Sequence, residues 1–139
     1  MREPIGARAI AAVAIGGALG ALARWALTDA FPSGPHGFPW TTLGINVAGC
    51  FLLALLPAAR FVRRRRTLAL GLGPGLLGGF TTLSAYSEQA RALIDAGRTG
   101  VALGYLIGTL GACLIAVGFA SQWSSVRQQR ALAAEGVDQ

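Results

Sequence analysis

The side chains that could do chemistry in this 139-residue chain are neutral and sit inside apolar stretches. They are Asn46, Thr81, Thr82, Ser84, Tyr86, Tyr105 and Thr109. Asn46 brings two N–H donors and each hydroxyl brings one. An anion leaving water needs donors in place of its hydration shell, and neutral donors supply them without a fixed charge that would hold it. Tyr105 and Thr109 stand four apart and so share one helix face. Each hydroxyl alone could equally bond its own helix, and Asn46 could simply bridge two helices. Their grouping beside a proline- and glycine-broken segment favours an ion pathway. Nothing comparable points to catalysis. The single histidine, His36, lies in a polar loop and is a poor metal ligand alone. The six carboxylates, Glu3, Asp29, Glu88, Asp95, Glu135 and Asp138, lie in loops or near the ends of apolar stretches. A proton-coupled exporter of this size needs an acidic residue deep in a span, so that class is disfavoured along with enzymes.

The elements that position these residues are set by composition. Hydrophobic residues make up 53% and charged residues 13% of the chain, against roughly 25% charged in soluble domains. Uncharged runs cover residues 9–23, 38–59, 67–87 and 99–126. Three exceed the roughly 18 residues that suggest a spanning helix. The first continues past Arg24 through Trp25, because an arginine near a helix end can snorkel to the interface. The expectation is an all-α membrane protein, one domain over residues 1–139, with four transmembrane helices at about 9–27, 40–60, 68–87 and 99–123. The first run also resembles a signal peptide, with Arg2, Arg8 and a small-residue site at residues 21–23. Gly16, Gly17 and Gly20 argue for a retained span, since they form a packing face. Gly100, Gly104 and Gly108 predict close helix packing on the fourth span, and the tail after Ser124 reads as frayed. Cys50 and Cys113 read as free thiols within spans.

The third span, GLGPGLLGGFTTLSAYS at residues 71–87, is the unusual one. Pro74 lacks a backbone donor and the Gly78-Gly79 pair is flexible, so a break is predicted between Gly75 and Thr82. Carbonyls freed near Gly78 and Thr81 would be hard oxygen ligands suited to Na⁺. All twelve basic residues are arginine. Nine of them (2, 8, 60, 63, 64, 65, 66, 127 and 130) fall on one side of a four-span topology and three (24, 91 and 98) on the other. That bias predicts a plasma-membrane protein with both termini cytoplasmic. The run Arg63 to Arg66 reads as a topology signal, in preference to a phospholipid or nucleic-acid patch.

These residues carry a resemblance to the Fluc (CrcB) family of fluoride channels along nearly the whole chain. GGALGALARW resembles that family's glycine-rich first span, TTLGINVAGCF its second-span motif with Asn46, and GLLGGFTTLSAYS its third-span signature. Gly75, Gly78, Gly79, Thr81, Thr82 and Ser84 fall in register with G-x-x-G-G-x-T-T-F-S-T-F. The resemblance implies an antiparallel dimer of four-span subunits with two narrow fluoride pores. It implies a structural Na⁺, not transported, held by the backbone carbonyls of Gly78 and Thr81. It places Asn46, Thr82, Ser84, Tyr86, Tyr105 and Thr109 along the ion pathway. The activity implied is passive export of cytoplasmic fluoride.

The chain departs from the family pattern where paired phenylalanines are usual: Leu83 and Tyr86 stand there, with Ala85 for threonine between them. Tyrosine keeps an aromatic edge and leucine has none. A subunit that inserts both ways should also have balanced arginines, which this one lacks. The expected partner is therefore a related, inverted four-span subunit that supplies the missing phenylalanine. The rival readings are a small secondary transporter and a non-conducting structural subunit of a membrane complex.

Overall fold

The computed structural model describes residues 6–34 and 37–136, with side chains to residue 125. His36, Arg2, Glu3 and Asp138 lie outside the described residues, as do the side chains of Arg127, Arg130 and Glu135. Four helical stretches are long and apolar enough to cross a membrane: Ala7–Ala30, Trp40–Ala58, Arg66–Asp95 and Thr99–Ser125. No strand occurs among the described residues.

Helix α1 (Ala7–Ala30) is apolar all round, and its buried residues are Gly16 and Gly20. Ile10, Ile15, Leu19, Leu22 and Trp25 point outward, as befits a surface that meets lipid. Helix α2 (Trp40–Leu55) ends in a 3₁₀ turn at Leu56–Ala58 built around Pro57. A one-turn helix, α3 (Arg60–Arg63), then leads into the third span.

That third span is irregular twice. Helix α4 (Arg66–Leu70) widens into a π-helical stretch at Gly71–Leu77 that contains Pro74. Pro74 has no N–H and its ring would collide with the carbonyl four residues back, so the ladder bulges around it. A last turn, α5 (Gly78–Phe80), closes before the chain runs extended through Thr81 (φ −73°, ψ 157°) and Thr82 (φ −146°, ψ 120°). Helix α6 (Leu83–Asp95) then restarts. The break falls at the C-terminal edge of the window that the sequence predicts, and the widening precedes it.

The widened stretch rests on α1 through glycine. A Cβ on Gly16 would stand 2.1 Å from Gly71 O, one on Gly20 2.0 Å from Leu76 O, and one on Gly79 2.3 Å from Gly17 O. These are backbone atoms that cannot swing aside, so only glycine lets the two helices approach.

Gly97, at φ 73°, turns the chain from α6 into α7 (Thr99–Gly136). The Gly97 N–H donates to Ile94 O and the Arg98 N–H to Leu93 O, closing the end of α6. Helix α7 packs chiefly on α2 and α6, burying Ala102, Tyr105 and Thr109 on one face. Two expectations differ here. A Cβ added at Gly100, Gly104 or Gly108 would meet nothing within 4 Å among the described residues, so the close packing they predict is not made there. The helix also continues to Gly136 where a frayed tail was expected, because residues 126–134 are mostly strong helix formers.

Gly20→Ala should lower stability by about 2 kcal/mol or more, because the new methyl must push two backbones apart. In the isolated subunit Gly104→Ala should be neutral or stabilise by up to about 1 kcal/mol, since the new methyl meets open space on a helix. Thermal unfolding of the purified protein in detergent compares the two, and equal midpoints would exclude glycine-limited packing.

Candidate ion pathway at the helix break

Breaking a helix in hydrocarbon strands backbone groups with no water to satisfy them. The amide of Asn46, on α2, takes over at the break. Its Nδ2 donates to Thr82 O at 3.0 Å, and the Thr82 N–H donates to Asn46 Oδ1 at 2.8 Å. Both bonds are buried. The Thr82 hydroxyl in turn accepts from the Ala85 N–H at 3.1 Å and caps α6.

These substitutions free two carbonyls. In an unbroken helix the Thr82 N–H would close on Gly78 O and the Ala85 N–H on Thr81 O. One is taken by Asn46 and the other by the Thr82 hydroxyl. Gly78 O and Thr81 O are left as hard oxygen donors of the kind a small monovalent cation takes. Among the described residues no group of His, Cys, Asp and Glu could hold a metal ion. The next carbonyl, Gly79 O, accepts from Arg24 Nε at 3.3 Å. Arg24 therefore reaches in to the broken helix, where the sequence predicts an arginine snorkelling to the interface.

Beside the break lies an open cavity of about 250 Å³. Asn46, Thr81, Thr82, Leu83, Tyr86 and Thr109 line it, so three helical spans converge there. Most of its polar groups are already committed. The Tyr86 hydroxyl donates to Leu106 O at 2.6 Å, and the Thr81 hydroxyl donates to Leu77 O at 2.9 Å. Thr109 is different. Its Oγ1 is buried and has no hydrogen-bond partner among the described residues, an exception among buried polar atoms. Leu83 is 75% exposed on the open side.

Two of the predicted pathway residues stand off the cavity wall. Ser84 is exposed, with its hydroxyl 3.2 Å from that of Thr82. Tyr105 is fully buried, and its hydroxyl donates to Gln89 Oε1 at 2.9 Å. Its ring lies 5.1 Å from that of Tyr86 and meets Phe38 edge-on at 5.4 Å. Tyr105 thus backs Tyr86 and lies behind the wall. Conversely, Cys50, Leu110 and Cys113 line the cavity without having been singled out for it. Spacing held the signal, since Cys50 follows Asn46 by four residues and Cys113 follows Thr109 by four.

Residues 11–121 match the family model described as CrcB-like protein, Camphor Resistance (CrcB). The chain belongs to the CrcB-like family. It is 38% identical over 133 residues to "Fluoride-specific ion channel FluC 2" of Nocardia farcinica, covering 91% of this chain and 94% of that one. It is 40% identical over 126 residues to "Fluoride-specific ion channel FluC 1" of Streptomyces coelicolor, covering 85% and 77% respectively. "Fluoride-specific ion channel FluC" of Paracoccus denitrificans is 42% identical over 105 residues, covering 76% of this chain and 85% of that relative. In this CrcB-like chain, the asparagine, the broken third span and the fourth-span threonine meet at one cavity.

Asn46→Ala should destabilise the protein by about 3 kcal/mol, since it leaves the buried N–H and C=O of Thr82 unpaired. Asn46→Leu, close in size but without either polar group, should lower the unfolding midpoint as Ala does. An Ala variant as heat-stable as the parent would show that the amide does not hold the break.

Proposed function

We propose that this chain is a subunit of a passive, fluoride-selective channel that lets cytoplasmic fluoride leave the cell. The unpartnered hydroxyl of Thr109, buried within the wall of the cavity, carries the proposal, since a rotamer change would turn it to an ion there. Fluoride is small and a strong hydrogen-bond acceptor, so it leaves water only where donors are already in place. Thr109 has a donor to offer, and the second proton on Asn46 Nδ2 adds another. Neither carries charge, so an ion is stabilised without being trapped. Fluoride enters cells as neutral HF and dissociates near neutral pH. A passive path down the electrochemical gradient is then enough to expel it, with no ATP and no coupled proton.

A second subunit would complete the site. The cavity is open, Leu83 projects from its rim, and a Cβ on the row Gly100, Gly104, Gly108 would meet nothing within 4 Å among the described residues. An inverted four-span subunit would close the wall and pack on that glycine row. The carbonyls of Gly78 and Thr81 would share a structural Na⁺ with it, and the ion would neutralise carbonyl dipoles that otherwise face one another. The nine-to-three arginine bias favours a related inverted partner over a second copy of this chain, with both termini of this chain cytoplasmic. Such a partner would restore the aromatic edge that Leu83 lacks.

Fluoride efflux from proteoliposomes, read with a fluoride electrode and with chloride as control, tests the function. Efflux is expected when this chain is reconstituted with a related inverted subunit, and not from this chain alone. Fast efflux from the chain alone would establish a homodimer and overturn the pairing. Silence in both cases would leave the chain a non-conducting subunit. In the active assembly Thr109→Val should slow fluoride about tenfold, the equivalent of one lost hydrogen bond, while Thr109→Ser should not. A flux that follows an imposed proton gradient would favour a secondary transporter.

The Na⁺ has its own readout. Exchanging it for a large organic cation should lower the thermal midpoint of the assembled protein, and restoring Na⁺ should return it. An unchanged midpoint would remove the cation from the assembly.

A further inference from the structure

The face of the third span away from the cavity forms a second concavity, an open cleft of about 630 Å³ between α1 and α4. Its walls are Ile15 and Leu19 from α1, with Leu72 and Leu76 from the widened π stretch. At one end of this apolar wall stand Arg65 and Arg66, followed by the hydroxyl of Thr67. Both guanidiniums are exposed, and neither has a side-chain partner among the described residues. No acidic residue lines the cleft. From Arg66 to Leu76 the chain would rise roughly 15 Å as an α-helix and somewhat less through the wider π stretch. That approaches the depth of one leaflet of a hydrocarbon core roughly 30 Å thick.

A cationic head above an apolar groove nearly one leaflet deep matches one kind of ligand. We infer that this cleft binds an anionic glycerophospholipid, with its phosphate on Arg65 and Arg66 and an acyl chain along Ile15, Leu19, Leu72 and Leu76. Guanidiniums suit this role because their planar donors grip phosphate oxygens in pairs. The cleft follows from the glycine contacts of the first and third spans. Glycine contacts between α1 and the π stretch bring the backbones together, leaving leucine and isoleucine side chains to flank a shallow floor at Gly16 and Gly71. The arginine run at residues 63–66 thereby gains a role beyond orientation. It would tether the widened half of the third span to the leaflet it faces.

Native mass spectrometry of the purified assembly, supplied with equal amounts of dioleoyl-phosphatidylglycerol and dioleoyl-phosphatidylcholine, tests this without reference to fluoride. The parent should retain the anionic lipid over the neutral one by about tenfold. Arg65→Gln/Arg66→Gln should bring the ratio near unity. Arg63→Gln/Arg64→Gln removes the same charge from outside the cleft and should leave the ratio at the parent's value. Arg65→Lys/Arg66→Lys, which keeps the charge if the glutamine pair will not fold, should give an intermediate ratio. Retention in proportion to supply, or equal losses in the two glutamine pairs, would overturn the site. Displacement of the lipid by inorganic phosphate would overturn the acyl-chain half of it. Retention on dissociated subunits alone would mean that the partner covers the cleft, and would also overturn the proposal.

Discussion

In the hydrocarbon of a bilayer, a peptide N–H or C=O that leaves its helix must find another polar partner. The irregular third span is possible because that demand is met from outside it. Asn46 offers a donor and an acceptor on one small planar group, which matches the N–H and C=O of Thr82. Without that amide the extended step at Thr81 and Thr82 would bury unpaired backbone, and a straight helix would compete with it. The Thr82 hydroxyl completes the repair by capping α6. Once those two N–H groups are diverted, the freed carbonyls of Gly78 and Thr81 follow as a consequence.

The first helix supplies the second support. Gly16 and Gly20 let it lie against the widened stretch at backbone contact, and Gly79 returns the favour against Gly17. Arg24 then reaches Gly79 O from the same helix. A charged side chain within a spanning segment is costly unless it is paired, and a helix break is one of the few places that offers a carbonyl to pair with. The break offers the arginine one such carbonyl, Gly79 O at 3.3 Å. Around the cavity this leaves little freedom: Tyr86, Thr81 and Thr82 have their hydroxyls committed locally. Among the hydroxyls of the cavity-lining residues, that of Thr109 has no hydrogen-bond partner among the described residues.

The apolar runs, the proline and glycines at residues 71–79 and the arginine bias are all local properties, and four helical spans with a damaged third could be read from them. Asn46 and Thr109 stood out because polar groups are conspicuous in apolar surroundings. Tyr105 and Ser84 looked equivalent to them, yet one is buried behind Tyr86 and the other is exposed beside Thr82. Sequence spacing says which residues share a helix face, but not which neighbouring helix that face meets. The glycine row at 100, 104 and 108 illustrates the same limit: its pattern calls for a close neighbour, and the described residues do not supply it.

The sequence by itself determined the class of molecule, the four spans and the segment where the backbone would fail. Those follow from hydropathy and from the proline and glycines at residues 71–79, which weaken the helical ladder in any fold. The family signature also lies in the sequence. Only the tertiary structure decided that Asn46 clamps Thr82, that Arg24 turns inward to Gly79, and that Thr109 keeps an unanswered hydroxyl. Each of those depends on where separate helices cross, and crossing positions are set by glycine-sized gaps and backbone demands that act between distant parts of the chain.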